Sequence, residues 1–476
     1  MSKESTHPPI PTPRLAVVIM AAGKGTRLRS RKPKVLHEVG GKPLLVHVIG
    51  AASRLSDSED IYVIVGHQAE LVRNAVADTG VQFIEQPGPR GTGHAIQCAR
   101  SALSGYEHIV VLSGDVPLIT AETLQHLMTI HLAEGAAMTI LTAEPKDPTG
   151  YGRVVRHSPD LSVVEAIVEQ KALKPAQLSL REINSGIYAF KVAPLLENID
   201  KLTNNNPHGE FYLTDMAAHL RAAGEKVSAL MAADAAEILG ANTIAELVGL
   251  DASIRQATAN RLMARGVTIF RPETCVIDAD VEVEADTIIE PFVQLLGTTR
   301  IGSDCRIRSY SVIENCALGN DVLIRQSCIL ADSTVADGAR IGPFAHLRPG
   351  SEIGQDAHVG NFVETKKARL GKGAKANHLT YLGDADVGAG SNIGAGVITC
   401  NYDGVHKHMT KIGQGAFVGS DSTLVAPVEI GDGAYIGAGS CITRGVPSGA
   451  LAVGRSRQVT KEGWAVTRRA RKEEAK

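Results

Sequence analysis

A glycine loop near the amino terminus carries the residues best suited to chemistry. Residues 18–34 read VIMAAGKGTRLRSRKPK, so an apolar strand runs into Gly23, Gly25 and Arg27, and Lys34 follows a proline. Few side chains obstruct such a loop, so its backbone N–H groups can lie against phosphate oxygens, while the two cations supply the charge that a leaving pyrophosphate needs. The loop therefore predicts a nucleoside triphosphate site.

The loop matches neither of the two common phosphate-binding glycine motifs. Walker A requires Gly-x4-Gly-Lys-Ser/Thr, which is absent here, and the dinucleotide fingerprint requires a third glycine where this chain has Leu28. Taken alone, the loop could also be a plain turn between a strand and a helix of a doubly wound domain.

Composition excludes several classes of protein. The 476 residues are enough for two or more domains with cores of their own, and a formal net charge of -2 excludes a globally basic nucleic-acid binder. The seven cysteines include no Cys-x-x-Cys pair, which argues against a disulfide framework or a thiolate zinc site and indicates a reducing cytoplasm. No stretch approaches the roughly 20 apolar residues of a membrane span. We therefore expect metabolites as partners.

The first half of the chain has the pattern of an α/β domain. From Leu15 to about Ala233, apolar strands such as LAVVIM, IYVIVG and HIVVLSGD alternate with helical stretches. Residues 242–265 then contain no glycine or proline after Gly249 and place apolar residues near helical spacing. This segment predicts a long connecting helix.

Beyond Gly266, aliphatic residues recur at every sixth position. Two runs follow this period: Val335, Ile341, Leu347, Ile353 and Val359, and later Ile412, Val418, Leu424, Ile430, Ile436 and Ile442. Small residues stand four positions after many of these anchors, among them Ala339, Ala345, Ser351, Ala416, Ser422 and Ser440. Chance is the alternative, but a period of six suits a triangular coil in which each side contributes one inward aliphatic residue. The same spacing predicts Cys305 and Cys328 as small core residues.

The period breaks near Thr399, where CNYDGVHKHM intervenes before Ile412 resumes it. Insertions in such coils become loops that project from one face and can reach a neighbouring subunit. The charged tail after Trp464 is expected to be solvated or disordered, with a weak phosphate-binding role as the alternative. The patterns together predict five segments: a flexible tail over 1–13, an α/β domain over 14–240, a linker helix over 241–266, a coil over 267–455 and a C-terminal tail over 456–476.

With these two patterns in this order, the chain resembles the bacterial family that combines N-acetylglucosamine-1-phosphate uridylyltransferase with glucosamine-1-phosphate acetyltransferase. The resemblance covers roughly residues 15–464 and rests on AAGKGTR with PKVLHEV, GTGHA, GDVPL, TGYGR, IVEQKA, EINSGIY, GEFYLTD, RPG, GNFVETKKA, HLTYLGDA, NIGAGVITCNYDG, GSD and KEGW. Sugar nucleotidyltransferases share the first motif generally, whereas GNFVETKKA, HLTYLGDA and NIGAGVITCNYDG are much narrower. The resemblance implies a Rossmann-like nucleotidyltransferase domain with a mostly parallel sheet, a connecting helix and a left-handed parallel β-helix of hexapeptide repeats.

The resemblance implies a uridylyltransferase site in the first domain. Arg27 and Lys34 would act on the triphosphate of UTP, and Gln86, Gly91 and Thr92 would read uracil. An amide side chain and backbone groups can satisfy the imide edge of uracil, whereas phosphates require cations and N–H donors. The other implied contacts to UTP or to its sugar product are Met20, Ala21, Ala22, Gly23, Ser113, Gly114, Asp115, Gly152, Glu169, Asn184 and Asn242.

The same site is implied to hold Mg²⁺. Asp115 closes the strand HIVVLSGD at its carboxyl end, where doubly wound sheets place ligands and a carboxylate suits Mg²⁺, although alone it could be a turn or helix-cap residue. The family adds Asn242 as the second ligand. No side-chain nucleophile is needed, because an oxygen of the sugar phosphate can attack the α-phosphorus of UTP in line.

The chain departs from the family pattern at three positions near this site. Pro89 and Arg90 stand where family members commonly have Gln and Leu, and Ser113 stands where an aromatic residue is frequent. We expect weaker contacts to uracil or phosphate there and the same reaction.

An acetyltransferase site is implied in the coil. The amine of glucosamine 1-phosphate must be neutral and must lose a proton, and the family names His378 as the base. Without the family motif, His378 is one of sixteen histidines and could equally be a surface or core residue. The implied contacts to the sugar phosphate are Arg348, Lys366, Tyr381 and Asn392, of which the cations could otherwise form a solvated charged face. The implied contacts to acetyl-CoA are Ala395, Asn401, Tyr402, Lys407, Ser420, Ala438 and Arg455.

Within that set, Lys407 and Arg455 would meet the phosphates of acetyl-CoA, and Asn401 and Tyr402 would reach it from a neighbouring chain of a homotrimer. The resemblance thus implies an enzyme that acetylates glucosamine 1-phosphate and then makes UDP-N-acetylglucosamine, which feeds peptidoglycan and lipopolysaccharide synthesis. Two alternatives are a single-activity nucleotidyltransferase with a structural coil and a trimeric scaffold or sensor that has lost both activities.

Overall fold

The computed structural model describes residues 13–156, 163–206 and 208–474, and the chain divides into two compact units, one up to Ile254 and one from Arg255. The tail predicted over 1–13 lies almost entirely outside the described residues. Among the residues that are described, no helix is long and apolar enough to cross a membrane.

The first unit is built on a mixed sheet of nine strands, and two short strands form a separate ribbon. The strands are β1 Leu15–Met20, β2 Glu38–Val39, β3 Lys42–Pro43, β4 Ile61–Val65, β5 Gln82–Glu85, β6 His108–Ser113, β7 Met138–Ala143, β8 Arg153–Arg156, β9 Val164–Val168, β10 Ile183–Lys191 and β11 Val227–Met231. The order across the sheet is β11-β7-β10-β6-β1-β4-β5, with β8 paired to β10 and to β9. Strand β10 runs antiparallel to both of its neighbours β6 and β7, while β5, β4, β1 and β6 are mutually parallel.

The helices are α1 Leu44–Ala52, α2 Ala69–Ala75, α3 Thr92–Leu103, α4 Ala121–Glu134, α5 Val192–Asn198, α6 Met216–Ala222, α7 Ile244–Ala264 and α8 Trp464–Glu474. Local chemistry sets their ends. For α4, the hydroxyl of Thr120 accepts a hydrogen bond from the Thr123 N–H at 3.2 Å, and Gly135 ends the helix in the left-handed conformation.

The sheet of the first unit is buried on both faces, which explains why its strands read as continuous apolar runs. In β1, Val17 and Ile19 pack into one hydrophobic cluster, and Ala16 and Val18 pack into another. Full burial of a Val or Ile side chain contributes about 1.5–3 kcal/mol. Because β1 and β6 are parallel and in register, with Met20 opposite Ser113, their carboxyl ends meet at one edge.

The second unit is a coil of three parallel sheets, as its six-residue period predicts. The first face holds Thr268–Ile269, Ile288–Ile289, Arg306–Ile307, Leu323–Ile324, Arg340–Ile341, His358–Asn361, Lys375–His378, Asn392–Ile393, Phe417–Val418, Tyr435–Ile436 and Leu451–Ala452. The second holds Val276–Ile277, Gln294–Leu296, Val312–Glu314, Ile329–Ala331, His346–Leu347, Glu364–Lys366, Tyr381–Gly383, Ile398–Cys400, Thr423–Val425 and Cys441–Ile442. The third holds Glu282–Val283, Arg300–Ile301, Ala317–Leu318, Thr334–Val335, Glu352–Ile353, Arg369–Leu370, Ala385–Val387, Thr410–Ile412 and Val428–Ile430.

The predicted anchors form the core of this coil. Both runs of aliphatic residues and the small residues four positions after them are buried, as are Cys305 and Cys328. Most turns take 17 or 18 residues, as Ile341 paired with Val359 illustrates, and the turn that carries the insertion takes 25, as Val387 paired with Ile412 shows. The insertion predicted after Thr399 leaves the coil between Cys400 on the second face and Thr410 on the third.

One corner of the coil carries exposed bulky residues where small ones are expected. Between the first and second faces, five large apolar residues take positive φ values of 50° to 65°, a region that bulky side chains enter only at a cost. All five side chains are 44% to 63% exposed. We call this set the corner ladder: Phe292, Tyr310, Phe344, Phe362 and Leu379.

Two predictions about the helical segments can be compared with the structure. Helix α7 lies within the segment 241–266 predicted as the linker, and the division into two units falls inside it, at Ile254. The tail after Trp464, expected to be solvated or disordered, is exposed and forms helix α8.

Candidate active sites

A cavity of about 270 Å³ lies at the carboxyl ends of β1 and β6, and ten of the residues predicted to contact UTP line it. They are Met20, Ala21, Ala22, Gly23, Lys34, Gln86, Gly91, Thr92, Ser113 and Asp115. We call this space the nucleotide cavity. Gly114 does not line the cavity, and its N–H donates to Met20 O at 3.0 Å.

Two glycines at this cavity allow contacts that a side chain would prevent. Gly25 has a φ of 59°, and a Cβ there would lie 2.6 Å from the Cβ of Lys34. Gly91 has a φ of 97°, and a Cβ there would lie 2.6 Å from Phe211 O. The first close approach seats the lysine against the loop, as a phosphate-binding loop requires.

The predicted metal ligands meet at one cation. The ammonium of Lys34 forms an ion pair with Asp115, whose side chain is 20% exposed, and donates to Asn242 Oδ1 at 3.0 Å. Arg27 donates to the same Asn242 oxygen at 2.9 Å. A carboxylate and an amide oxygen that converge on one positive group are hard oxygen donors of the type that Mg²⁺ prefers. Among the described residues, no group of three or more His, Cys, Asp or Glu could hold a metal, so an ion here would have few protein ligands.

The start of helix α7 fixes Asn242. Glu246 Oε2 accepts from the backbone N–H of Asn242 at 2.6 Å and of Thr243 at 3.1 Å, and Thr243 Oγ1 accepts from the Glu246 N–H at 3.2 Å. This reciprocal arrangement is a capping box. Sequence analysis missed Glu246, although the spacing Thr-x-x-Glu before a helix is its signal.

The residues predicted to read uracil lie at or just before the start of α3. Gln86 is 5% exposed, and its Nε2 donates to Gly91 O at 3.0 Å. The hydroxyl of Thr92 accepts from the Leu213 N–H at 3.0 Å. Two of the departures from the family pattern, Pro89 and Ser113, line the same cavity.

Of the residues expected to hold the sugar, Glu169 lines a second, larger cavity of about 780 Å³, which Arg27 also lines. Asn184 donates its backbone N–H to Gly152 O at 2.9 Å, and a Cβ on Gly152 would lie 3.5 Å from Glu169 Oε1, so these three residues adjoin. The side chain of Asn184 donates to the Tyr188 hydroxyl at 2.9 Å. Burial, with a smaller contribution from Asp215, raises the pKa of Glu169.

In the coil, His378 ends a strand of the first face and is exposed. Its Nδ1 lies 2.7 Å from Asn361 Oδ1, the side chain opposite it on the preceding turn. An amide oxygen only accepts, so Nδ1 carries the proton and the neutral ring keeps its lone pair on Nε2. Sequence analysis missed Asn361, which stands one turn, or 17 residues, before the histidine.

A row of small residues continues from His378 along the same corner of the coil. The Gly396 N–H donates to His378 O at 3.3 Å, the Asp421 N–H to Ala395 O at 2.7 Å, and the Gly439 N–H to Ser420 O at 2.7 Å. The guanidinium of Arg455 closes the row by donating to the carbonyl oxygen of Ala438 at 2.7 Å. The structure therefore places four of the seven residues predicted along acetyl-CoA on one edge with the histidine. They are Ala395, Ser420, Ala438 and Arg455.

The predicted cations for the sugar phosphate lie on the second face. Arg348 forms an ion pair with Glu364 at 2.8 Å. The ammonium groups of Lys366 and Lys407 lie against one another, and that contact, with a further contribution from Arg348, lowers the pKa of Lys366. Within one chain, Lys407 thus adjoins the predicted sugar-phosphate cation Lys366, whereas the sequence pattern assigned it to the phosphates of acetyl-CoA.

Tyr381 and Asn392 occupy different faces. The ring of Tyr381, on the second face, folds over Gly383, where a Cβ would lie 2.6 Å from the tyrosine Cζ. Asn392 lies on the first face, opposite Lys375. One chain therefore does not group all four residues expected to hold the sugar phosphate on one face.

The inserted loop is a compact hairpin. The carboxylate of Asp403 accepts hydrogen bonds from the backbone N–H groups of Val405 at 2.8 Å and His406 at 2.6 Å. Its second oxygen lies 2.7 Å from Nε2 of His408. Tyr402 is 59% exposed at its base. Asn401, expected to reach a neighbouring chain, is instead 8% exposed and donates its amide to Asp384 of its own chain.

Comparison with known proteins matches both units. The family model for the MobA-like NTP transferase domain matches residues 17–177, and the model for the bacterial transferase hexapeptide, with six repeats, matches residues 409–444. Proteins named "Bifunctional protein GlmU" are similar over nearly their whole length. The one from Koribacter versatilis is 60% identical, covering 97% of this chain and 99% of the relative. Those from Solibacter usitatus and Shouchella clausii are 51% and 47% identical, covering 96% and 94% of this chain and 97% and 98% of the relatives.

Proposed function

The chain belongs to the family of bifunctional GlmU proteins, and we propose that it acetylates glucosamine 1-phosphate in the coil and then uridylylates the product in the first unit. Acetyl-CoA and UTP are the co-substrates, and UDP-N-acetylglucosamine, pyrophosphate and free CoA are the products. The observation that carries this function is the match of the whole chain, both units included, to bifunctional relatives. A single-activity nucleotidyltransferase with a structural coil is therefore disfavoured.

In the nucleotide cavity, Gln86 and the backbone of Gly91 bind the uracil of UTP, and Lys34 and Arg27 bind its phosphates. A phosphate oxygen of N-acetylglucosamine 1-phosphate attacks the α-phosphorus, a new P–O bond forms, and the bond to the β-phosphate oxygen breaks. The positive charges of Lys34 and Arg27 stabilise the negative charge that develops on the leaving pyrophosphate. Gly152, Glu169 and Asn184 hold the sugar at the adjoining second cavity.

Asp115 and Asn242 are the residues that would hold Mg²⁺. Their oxygens already converge on the Lys34 ammonium, so a cation fits between them with little rearrangement. When bound, the ion supplies positive charge that polarises the phosphoryl oxygens. Lys34 would then release Asp115 and turn toward the phosphates.

In the coil, His378 Nε2 takes a proton from the amine nitrogen of glucosamine 1-phosphate as that nitrogen attacks the thioester carbonyl. The C–S bond breaks, the acetyl group forms an amide, and the CoA thiolate leaves. Asn361 keeps the ring in the tautomer that this step requires, because it binds the proton on Nδ1. The small residues Ala395, Ser420 and Ala438 let the CoA chain approach the corner closely.

Arg348, Lys366 and Lys407 form the phosphate site for glucosamine 1-phosphate. Two ammonium groups in contact repel each other, so an anion placed between them relieves that repulsion. This assignment moves Lys407 from acetyl-CoA to the sugar phosphate.

We propose that the acetyl site is completed in a homotrimer. Asn392 lies on the first face, while Tyr381 and Lys366 lie on the second, so two chains could supply the two faces of one cleft. The corner ladder starts beside His378, at Leu379, and offers exposed apolar side chains to a second copy. Ser327 occupies the same corner position between Tyr310 and Phe344, so the ladder has one polar step. All seven cysteines are free, which fits a reducing cytoplasm.

A coupled assay tests the proposal. Purified protein, Mg²⁺, UTP and glucosamine 1-phosphate are incubated with or without acetyl-CoA, while free thiol and pyrophosphate are recorded. We expect thiol release and pyrophosphate that depends on acetyl-CoA. His378→Asn should abolish thiol release but keep pyrophosphate release from supplied N-acetylglucosamine 1-phosphate, and Lys34→Met should do the reverse. Pyrophosphate without thiol release in the parent protein would leave the coil as a scaffold.

A further inference from the structure

The amide of Gln86, the side chain proposed to read uracil, is held from two sides. Its Nε2 lies 3.0 Å from Gly91 O and 3.2 Å from His94 Nδ1. A carbonyl oxygen can only accept, so the atom facing Gly91 O must be the NH₂ group. Both of its hydrogens are then committed, and Oε1, which has no hydrogen-bond partner among the described residues, is left as the acceptor that this side chain can offer the nucleotide cavity.

His94 accepts the second hydrogen. It lies in the first turn of α3, whose start at Gly91 and Thr92 borders the nucleotide cavity. With the Gln86 NH₂ donating, Nδ1 must be unprotonated and the ring neutral. Burial, and next the positive charge of Arg90, lower the pKa of His94, so the ring is neutral at pH 7 as this bond requires.

The orientation of this amide decides which base edge it fits. Uracil presents an N3–H donor, which an amide oxygen accepts, whereas cytosine presents an unprotonated N3 acceptor, which would face Oε1 without a proton between them. We propose that His94 is a positioning residue that holds the Gln86 amide with its oxygen toward the base and thereby favours UTP over CTP. The inference rests on the proposed uridylyltransferase site and adds a specificity determinant to it.

The test compares UTP with CTP in variants of His94. His94→Leu and His94→Ala remove the acceptor, whereas His94→Asn retains one, because its amide oxygen can reach the position of Nδ1. His126→Leu, a change on the exposed side of α4, is the matched control. For each variant, kcat and KM for UTP are measured with N-acetylglucosamine 1-phosphate and Mg²⁺, and CTP is measured as a substrate and as a competitive inhibitor.

We expect His94→Leu and His94→Ala to raise the KM for UTP roughly tenfold with a smaller change in kcat, and to lower the preference for UTP over CTP by a similar factor. His94→Asn should recover most of that preference, and His126→Leu should match the parent. An unchanged preference in both loss variants, or a His94→Asn variant as defective as His94→Leu, would overturn the inference. A parent protein that does not use UTP would instead defeat the proposed function. The alanine variant keeps the test valid if leucine unfolds the unit.

Discussion

At the scale of single residues, the proposed acetyltransfer base His378 is paired with Asn361. The histidine is exposed, and the asparagine Oδ1, 2.7 Å from Nδ1, fixes the tautomer. We expect Asn361→Ala to lower kcat for acetyl transfer by roughly tenfold to a hundredfold, because general-base catalysis by an unfixed ring loses part of its benefit. The measurement is initial-rate thiol release, with uridylyl transfer as the internal control.

Asn361→Asp separates tautomer control from simple packing. It keeps an acceptor but adds a negative charge, which stabilises the protonated imidazolium of His378. The acid limb of the pH profile for acetyl transfer should therefore move to higher pH, while activity at alkaline pH is retained. An acid limb in the same place as in the parent would contradict this pairing.

The placement of Lys407 gives a second prediction at this scale. Because its ammonium lies against Lys366, we expect Lys407→Ala to raise the KM for glucosamine 1-phosphate roughly tenfold and to leave the KM for acetyl-CoA nearly unchanged. Lys411→Ala, an exposed lysine on the third face, is the matched control. The opposite pattern, with KM raised for acetyl-CoA, would restore the assignment made from the sequence.

Much of the candidate site could be predicted from the sequence, but the residues that orient it could not. Motifs identify the groups that meet ligands, such as Lys34, Asp115 and His378. Asn361 and His94 act on another side chain, and their partners become neighbours only through a coil turn or a helix start. The signal for Asn361 was present, since one turn of the coil separates it from His378.

At the scale of elements, the start of helix α7 connects backbone capping to metal binding. Glu246 binds the N–H groups of Asn242 and Thr243 and so fixes the amide proposed to hold Mg²⁺. Loss of such a cap costs about 1 kcal/mol, which corresponds to a severalfold smaller population of the conformation that holds the Asn242 amide in place. We expect Glu246→Ala to raise the Mg²⁺ concentration for half-maximal uridylyl transfer severalfold, with near-normal rates at saturating Mg²⁺.

Two controls support this measurement. Acetyl transfer by the same variant should be unchanged, and Glu246→Gln, which keeps one acceptor oxygen, should have an intermediate Mg²⁺ requirement. If Glu246→Ala has the same Mg²⁺ requirement as the parent, the cap does not contribute to Mg²⁺ binding and the prediction is wrong.

Helix α4 contains a buried histidine that should make the first unit sensitive to acid. His131 is fully buried, with Nδ1 2.9 Å from the Thr139 hydroxyl and Nε2 3.0 Å from His108 Nδ1. Burial, and next the neighbouring His108, lower the pKa of His131 from 6.5 to about 4. Between pH 6.5 and about 4, the unfolded chain therefore binds more protons at this residue than the folded chain does. The contribution of the neutral, buried His131 to the free energy of unfolding is fully present above pH 6.5 and is lost as the pH falls to about 4.

The size of this loss follows from the shift in pKa and is about 3 kcal/mol. We expect His131→Gln to be less stable than the parent at pH 7 but to lose less stability between pH 6.5 and pH 4.5, as measured by scanning calorimetry. His126→Gln, on the exposed side of the same helix, should follow the parent at both pH values. Equal losses in parent and His131→Gln would exclude the buried ring as the cause.

The elements themselves differ in how far the sequence predicts them. The six-residue period predicts the coil because each buried anchor repeats the same local environment, and the strands around Val17 are predicted by burial on both faces. The helix after Trp464 was missed, because its charged, exposed surface carries no apolar stripe on which a helix could be recognised. The hairpin after Thr399 was likewise hidden, since its conformation depends on the hydrogen bonds of Asp403.

At the scale of the whole molecule, the corner ladder is the feature proposed to link assembly to activity. Its aromatic residues stack in two pairs, Phe292 with Tyr310 and Phe344 with Phe362, and the ring centroids of the second pair are 5.3 Å apart. Both keep positive φ values although bulky residues pay a conformational cost there, of order 1–3 kcal/mol. An exposed apolar edge held at such a cost is expected to be covered by a second copy of the coil.

Replacing both phenylalanines by asparagine tests this without damaging the coil. Asparagine tolerates the left-handed conformation, so Phe344→Asn with Phe362→Asn removes apolar contact area while the coil fold should be retained. We expect the double variant to dissociate from trimer to monomer in analytical ultracentrifugation, to lose acetyl transfer at least a hundredfold, and to keep uridylyl transfer. Asp356→Asn, at another exposed position with positive φ, should change neither assembly nor activity.

A monomeric double variant that acetylates at the parent rate would refute a shared acetyl site, because each chain would then hold a complete one. A trimeric double variant would place the interface on another edge of the coil.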